Sequence, residues 1–296
     1  MARRPSSGIT RLLVSLAVVL AGCAGESAVP PAAPATSQTP TTLPTAPAGS
    51  ITTVSSTTTV ATEAPTLETA DIRLPEGQGP FPAVVLVHGG GWVAGSPALM
   101  TSLAEYLTSQ GYLTVNSQYQ LSLRTPGFPA AIEDISCAVA YAASHPQSTG
   151  DVTVIGHSAG AHIGSIVALD AGRYDDACQP PDRGTPARFV GLAGPYDVDR
   201  LGGILVPFFG VERAIDPELW ASGNPLLLVG ENPDVGVLLI HGDADGVVPI
   251  DFSQDFADSL EAAGIGVAVE IVSGATHNDV TSPAVVGQLI VEWLQG

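Results

Sequence analysis

The sequence predicts an α/β domain, a mostly parallel twisted sheet with helices on both faces and a small cap, and three observations predict it. From about residue 67 onward, short apolar runs alternate with longer amphipathic stretches, the pattern of parallel strands joined by crossover helices. The 296 residues, 45% apolar and 13% charged, suffice for one domain with a sizeable core plus some non-globular sequence. Glycine-rich, acidic and histidine-bearing segments follow the apolar runs, where the carboxyl ends of parallel strands would present them.

The candidate strands are Ala83 to Val87, Leu113 to Ser117, Val152 to Ile155, Phe189 to Leu192, Val237 to Ile240 and Val267 to Val272. Helices are expected near 97 to 110, 129 to 144, 159 to 171, 250 to 263 and 282 to 294, and segment 67 to 74 adds edge strands. The interval 197 to 232 breaks the rhythm, with Gly202, Gly203, Pro207 and Pro225 in no clear period, and is expected to form a small lid. The folded domain, which carries the segments described below, is accordingly assigned to 67–296.

Upstream, Arg3, Arg4 and Arg11 precede an apolar run, Leu12 to Ala21, that is too short to span a bilayer, which takes about 20 residues. The run ends in Leu20-Ala21-Gly22-Cys23, which resembles a bacterial lipoprotein signal: 1–22 would be removed and Cys23 lipidated, making the protein an exported, membrane- or surface-anchored one. An ordinary secretory signal with Cys23 incidental is the alternative. Residues 23–66 are almost all Pro, Ala, Thr, Ser and Gly, too poor in apolar surface to offset ordering entropy, and read as a disordered linker. Two further cysteines, Cys137 and Cys178, are an even count in an oxidising compartment and suggest one disulfide; two separate buried thiols are the alternative.

All ten cationic side chains are Arg, and the formal charge is −19. Without the three that precede Cys23, seven Arg face 29 acidic side chains, a net −22. Such a surface repels phosphate backbones and argues against a nucleic-acid partner.

The residues that carry chemistry stand in three segments followed by a histidine. In Gly156-His157-Ser158-Ala159-Gly160 the serine falls at a predicted strand-to-helix junction, the context in which Gly-x-Ser-x-Gly forms a nucleophile elbow. Its hydroxyl is a poor nucleophile until a base takes its proton. His88-Gly89-Gly90-Gly91-Trp92 directly follows an apolar strand; Gly90 and Gly91, with Ala159, are the candidate backbone donors to a developing oxyanion. A phosphate-binding loop is the competing reading, but no Lys follows and the spacing fits no nucleotide pattern.

Together these segments resemble the α/β-hydrolase superfamily, specifically its His-Gly-Gly-Gly esterase-like branch, which includes small carboxylesterases, feruloyl and acetyl-xylan esterases and kynurenine formamidases. The resemblance runs from about 70 to 295 and includes Gly194-Pro195-Tyr196-Asp197 and Asn224-Pro225-Leu226. It implies that the catalytic acid is the fifth residue of His241-Gly242-Asp243-Ala244-Asp245, so Asp245 rather than Asp243, which is assigned to the turn. A loop after a strand is also where a triad acid belongs.

Six histidines compete for the role of base. His88 and His241 stand before glycines at strand ends, where histidines commonly hold loops; His157 is locked beside the serine, His162 lies one helical turn beyond it, and His145 precedes Pro146. His277 follows the last predicted strand and completes the chain order Ser158, Asp245, His277. No metal and no cofactor are expected. Trp92, Tyr196, Phe208, Phe209 and Trp220 either line an acyl or leaving-group pocket or fill core. The expected activity is a serine carboxylesterase acting on short- to medium-chain esters, with a small ester or an esterified polymer as partner. An amidase, formamidase or peptidase on the same triad is the alternative, and a binding lipoprotein that lost catalysis a second; oligomeric state is open.

Overall fold

The structure, a computed structural model, describes residues 70–170, 172–174, 178 and 185–296. The expected signal, the lipidation at Cys23 and the linker lie outside the described residues. Seven strands form one sheet: β1 (Asp71–Arg73), β2 (Phe81–Val87), β3 (Leu113–Ser117), β4 (Ser148–His157), β5 (Arg188–Leu192), β6 (Gly236–Gly242) and β7 (Val267–Val272), in the order β1-β3-β2-β4-β5-β6-β7. Every pairing is parallel except that of β1 with β3. This is the predicted α/β class, with β1 as the antiparallel edge.

Both faces of the sheet are covered, so its central strands read as unbroken apolar runs and not as alternating ones. On one face Val84, Leu86, Ile155, Leu238 and Ile240 pack under helices α1 (Thr101–Ser109) and α9 (Gln288–Gln295). On the other, Val85, Val87, Val154 and Leu239 pack under α2 (Ala130–Ser144), α3 (Ala159–Leu169) and α8 (Asp251–Ala262). Alternate residues of one strand thus serve opposite layers, the two-residue period of a pleated strand. A leucine or isoleucine at such positions contributes about 2 to 5 kcal/mol against truncation to alanine.

The interval 197 to 232 folds as four short helices, α4 (Val198–Leu201), α5 (Val206–Phe209), α6 (Pro217–Ser222) and α7 (Pro225–Leu228). Three begin at a side chain that satisfies an otherwise free N–H of the first turn: Asp197 on Asp199, Asp216 on Leu219, Asn224 on Leu226. Pro217 and Pro225 follow two of those caps, where the missing N–H costs nothing. None exceeds six residues, so none shows an amphipathic period to a sequence reading. Phe208 and Phe209 pin this region to Phe128 by ring contacts of 5.8 and 5.2 Å between centroids, and Phe209 stacks on Trp220 of α6 at 4.5 Å.

Cys137, on α2, is disulfide-bonded to Cys178, as expected, closing a sequence separation of 41 residues. A loop of that length stabilises the fold by about 4 kcal/mol in the chain-entropy account.

Candidate active site

Four loops meet at the carboxyl ends of parallel strands, the edge where open α/β sheets hold ligands. The glycine loop follows β2, Ser158 follows β4, Asp245 follows β6 and His277 follows β7.

Ser158 sits between β4 and α3 with φ 53° and ψ −120°, a conformation that L-residues rarely adopt and that costs on the order of 1 to 3 kcal/mol. Packing holds it there. Its N–H donates to Leu192 O at 2.9 Å, and its carbonyl accepts from Ala161 and His162. A side chain at Gly156 would run into the Gly160 carbonyl, and one at Gly160 into the backbone of Val87 and His88. The two glycines of the motif therefore let α3 start directly against β2 and β4, with Ser158 half-buried at the helix N-terminus, where the helix dipole favours negative charge.

The glycine loop turns with Gly90 at φ 129°, Gly91 at 59° and Trp92 at 63°, closed by Ala94 N–H to Gly90 O at 3.0 Å. Tyr119 donates its hydroxyl to His88 O at 3.1 Å and stacks on the His88 ring. Trp92 Nε1–H donates to His162 Nδ1 at 3.2 Å, which anchors the far end of the loop to α3. Among the described residues, no group accepts from the N–H of Gly90, Gly91 or Ala159. Gly89, buried, leaves no room for a side chain: a Cβ would lie 2.7 Å from His157 Nδ1 and 3.1 Å from Ser158 Cβ.

Asp245 and His277, 32 residues apart, are joined by a hydrogen bond of 2.7 Å from Nδ1–H to Oδ2. The Asp245 side chain is 1% exposed. Its Oδ1 accepts from Val247 N–H at 2.7 Å and Val248 N–H at 2.9 Å, and His241 Nε2 approaches Oδ2 to 3.2 Å. Burial alone would raise the pKa of this carboxyl; the bonds from His241, His277, Val247 and Val248 outweigh it and hold the group well below the usual carboxylate range. Asp243 has a different task. It accepts from Gly274 N–H at 2.6 Å and Ser273 Oγ–H at 3.1 Å, tying the β6 loop to the loop that carries His277, where the sequence assigned it to its own turn.

His241, His162 and His157 are committed to structure. His241 donates from Nε2 to Val248 O and accepts at Nδ1 from Ser253 Oγ–H. His162 accepts at Nδ1 from Trp92 and donates from Nε2 to Gly223 O at 2.9 Å, so both nitrogens are used and the ring is neutral; burial pushes its pKa down to about 4. His157 donates from Nε2 to the main-chain carbonyl of His277 at 2.9 Å, and burial, then the nearby His277, lower it to about 4. This link between the elbow and the His277 loop carries no motif of its own, and sequence reading placed His157 beside the serine without it.

Of the aromatic residues singled out in the sequence, all five are buried core side chains. Tyr196 stacks on Phe256. Trp220 also lines a cavity of about 460 Å³ among the short helices, with Gly202, Gly203, Val206, Arg213 and Pro217.

A parallel sheet with a strained serine on a strand-to-helix turn, and a histidine bonded to an acid on later strand ends, defines the class: an α/β-hydrolase. Within that class the chain belongs to the BD-FAE family, whose model matches residues 70–260. Among relatives, it is 28% identical over 204 residues to Esterase LipC of Mycobacterium tuberculosis, covering 62% of this chain and 49% of the relative. It is 26% identical over 238 residues to isoprenylcysteine alpha-carbonyl methylesterase ICME of Arabidopsis thaliana, covering 71% of this chain and 53% of the relative. The chain thus spans about half the length of these curated relatives. Its fold is similar to that of a truncated carbohydrate esterase from gut microbiota, with a TM-score of 0.66 at 20% identity over 76% of this chain and 89% of that one. The thermophilic esterase Est2 of Thermogutta terrifontis matches with a TM-score of 0.61 at 21% identity over 75% and 85% of the two chains.

Proposed function

We propose that the protein is a serine carboxylic ester hydrolase in which Ser158, His277 and Asp245 form the triad. The observation that carries the reading is the 2.7 Å bond from His277 Nδ1 to a buried carboxylate, which leaves His277 Nε2 as the nitrogen able to take a proton. Ser158 Oγ attacks the ester carbonyl carbon as its proton passes to His277 Nε2. The tetrahedral oxyanion accepts from the N–H groups of Gly90, Gly91 and Ala159, and losing one such donor costs about 2.7 to 4 kcal/mol of barrier stabilisation. The C–O bond to the alcohol then breaks, with the His277 proton going to the departing oxygen. Water attacks the acyl-enzyme by the same route and releases the acid.

The esterase names of the relatives and structural neighbours support ester over amide substrates. Read as the small cap expected of 197 to 232, the four helices of four to six residues support short to medium acyl chains. The reading includes export and a lipid anchor at Cys23, with 23–66 as tether; the Cys137–Cys178 disulfide supports an oxidising compartment.

Hydrolysis of p-nitrophenyl esters from acetate to palmitate, by the full chain and its Ser158→Ala variant, tests the proposal. Turnover that peaks at short chains and vanishes in the variant is expected; a Ser158→Ala protein that still turns over overturns it.

A further inference from the structure

We propose that His157, the residue before the serine, is a positioning residue that holds the base, the nucleophile elbow and the glycine loop together. The inference rests on the triad reading and adds to it a residue that reading leaves without a role.

His157 Nε2–H donates to His277 O at 2.9 Å across 120 residues of chain, and the two rings lie 4.8 Å apart between centroids. The His277 side chain is held at Nδ1 by Asp245, but that bond fixes only the ring. The bond to the carbonyl fixes the backbone from which the ring projects. On its other side the His157 ring fills the space a side chain at Gly89 would need, with Nδ1 only 2.7 Å from that Cβ position. One imidazole therefore touches the loop after β7 and the loop after β2 while its own backbone leads into Ser158.

The acceptor is a carbonyl, which has no proton to give, so Nε2 must carry the hydrogen. A neutral ring with that tautomer is sufficient, and burial favours the neutral form. The donor therefore stays uncharged beside His277 when the latter takes up a proton. A residue needed only to fill this space could be apolar. A buried imidazole is worth its desolvation only if the hydrogen bond is made.

The test is His157→Leu against His157→Gln in the full chain, since the Gln amide can place an N–H near the Nε2 position and Leu cannot. Active sites are counted by fluorophosphonate labelling, so that turnover is expressed per labelled site. For His157→Leu we expect kcat per site to fall about 10- to 100-fold, the cost of a misplaced base, with KM nearly unchanged. His157→Gln should recover most of the loss. A purely space-filling role predicts fewer labelled sites, each turning over at the wild-type rate. That result, or a His157→Gln protein as slow as His157→Leu at equal folding, overturns the proposal. If the Leu variant does not fold, His157→Asn takes its place, being polar but too short to reach the carbonyl, with the same outcomes. Failure of the triad reading shows separately, as turnover retained by Ser158→Ala.

Discussion

Asp245 meets His277 with one carboxylate oxygen while two successive backbone amides, Val247 and Val248, occupy the other. The acid is thus oriented by its own loop before the histidine arrives, and the 2.7 Å bond fixes which His277 nitrogen carries hydrogen.

Asp245→Asn should leave the loop intact, because the amide oxygen can still accept from Val247 and Val248. The amide NH2 would then face His277 Nδ1 and favour the wrong tautomer. We expect kcat to fall on the order of 10⁴-fold with the near-ultraviolet circular dichroism unchanged. A loss below about tenfold would show that another acid orients the base.

Acid should weaken the fold before it reaches the carboxylates. His157 and His162 are each lowered from 6.5 to about 4 by burial, so between those values the unfolded chain binds protons that the folded protein does not. Stability is therefore complete above pH 6.5 and falls as pH drops toward 4, by about 3 kcal/mol per histidine. Asp245, held below the usual range, adds stability present above about pH 4 and lost further down. Urea midpoints measured from pH 7.5 to 4.5 should decline, and His162→Gln should flatten the decline by about one proton. A pH-independent midpoint would contradict the neutral, buried state of both rings.

Gly89→Ala introduces a Cβ at 2.7 Å from His157 Nδ1 and 3.1 Å from Ser158 Cβ, distances that only movement of the elbow or the glycine loop can relieve. Turnover of a p-nitrophenyl ester should drop about 100-fold. Gly266→Ala, where a Cβ meets nothing within 4 Å, should match the wild type. Equal activity in both proteins would mean that Gly89 does not set the geometry of the serine.

The strands were legible as short apolar and β-branched runs: Leu113–Ser117, buried throughout, and Val267–Val272, a partly exposed edge strand, coincide with their expected bounds. β4 begins four residues before the expected Val152, since Ser148 to Asp151 is polar and signals no strand; Ser148 pairs with Phe81, and the register with β2 shifts before it resumes at Val152. The short helices of 198 to 228 were legible only as irregularity, being too brief for a helical period to repeat.

The sequence by itself determined which residues could do chemistry and in what order, since Gly-x-Ser-x-Gly, the glycine run, Asp245 and His277 are local or ordinal features of the chain. Tertiary structure alone decided how they are held: His157 on the His277 carbonyl, Trp92 on His162 and Asp243 on Gly274. A hydrogen bond between residues 31, 70 or 120 positions apart is set by where strands place their ends. No local pattern records that distance, because the sheet, and not the chain's own stiffness, brings those ends together.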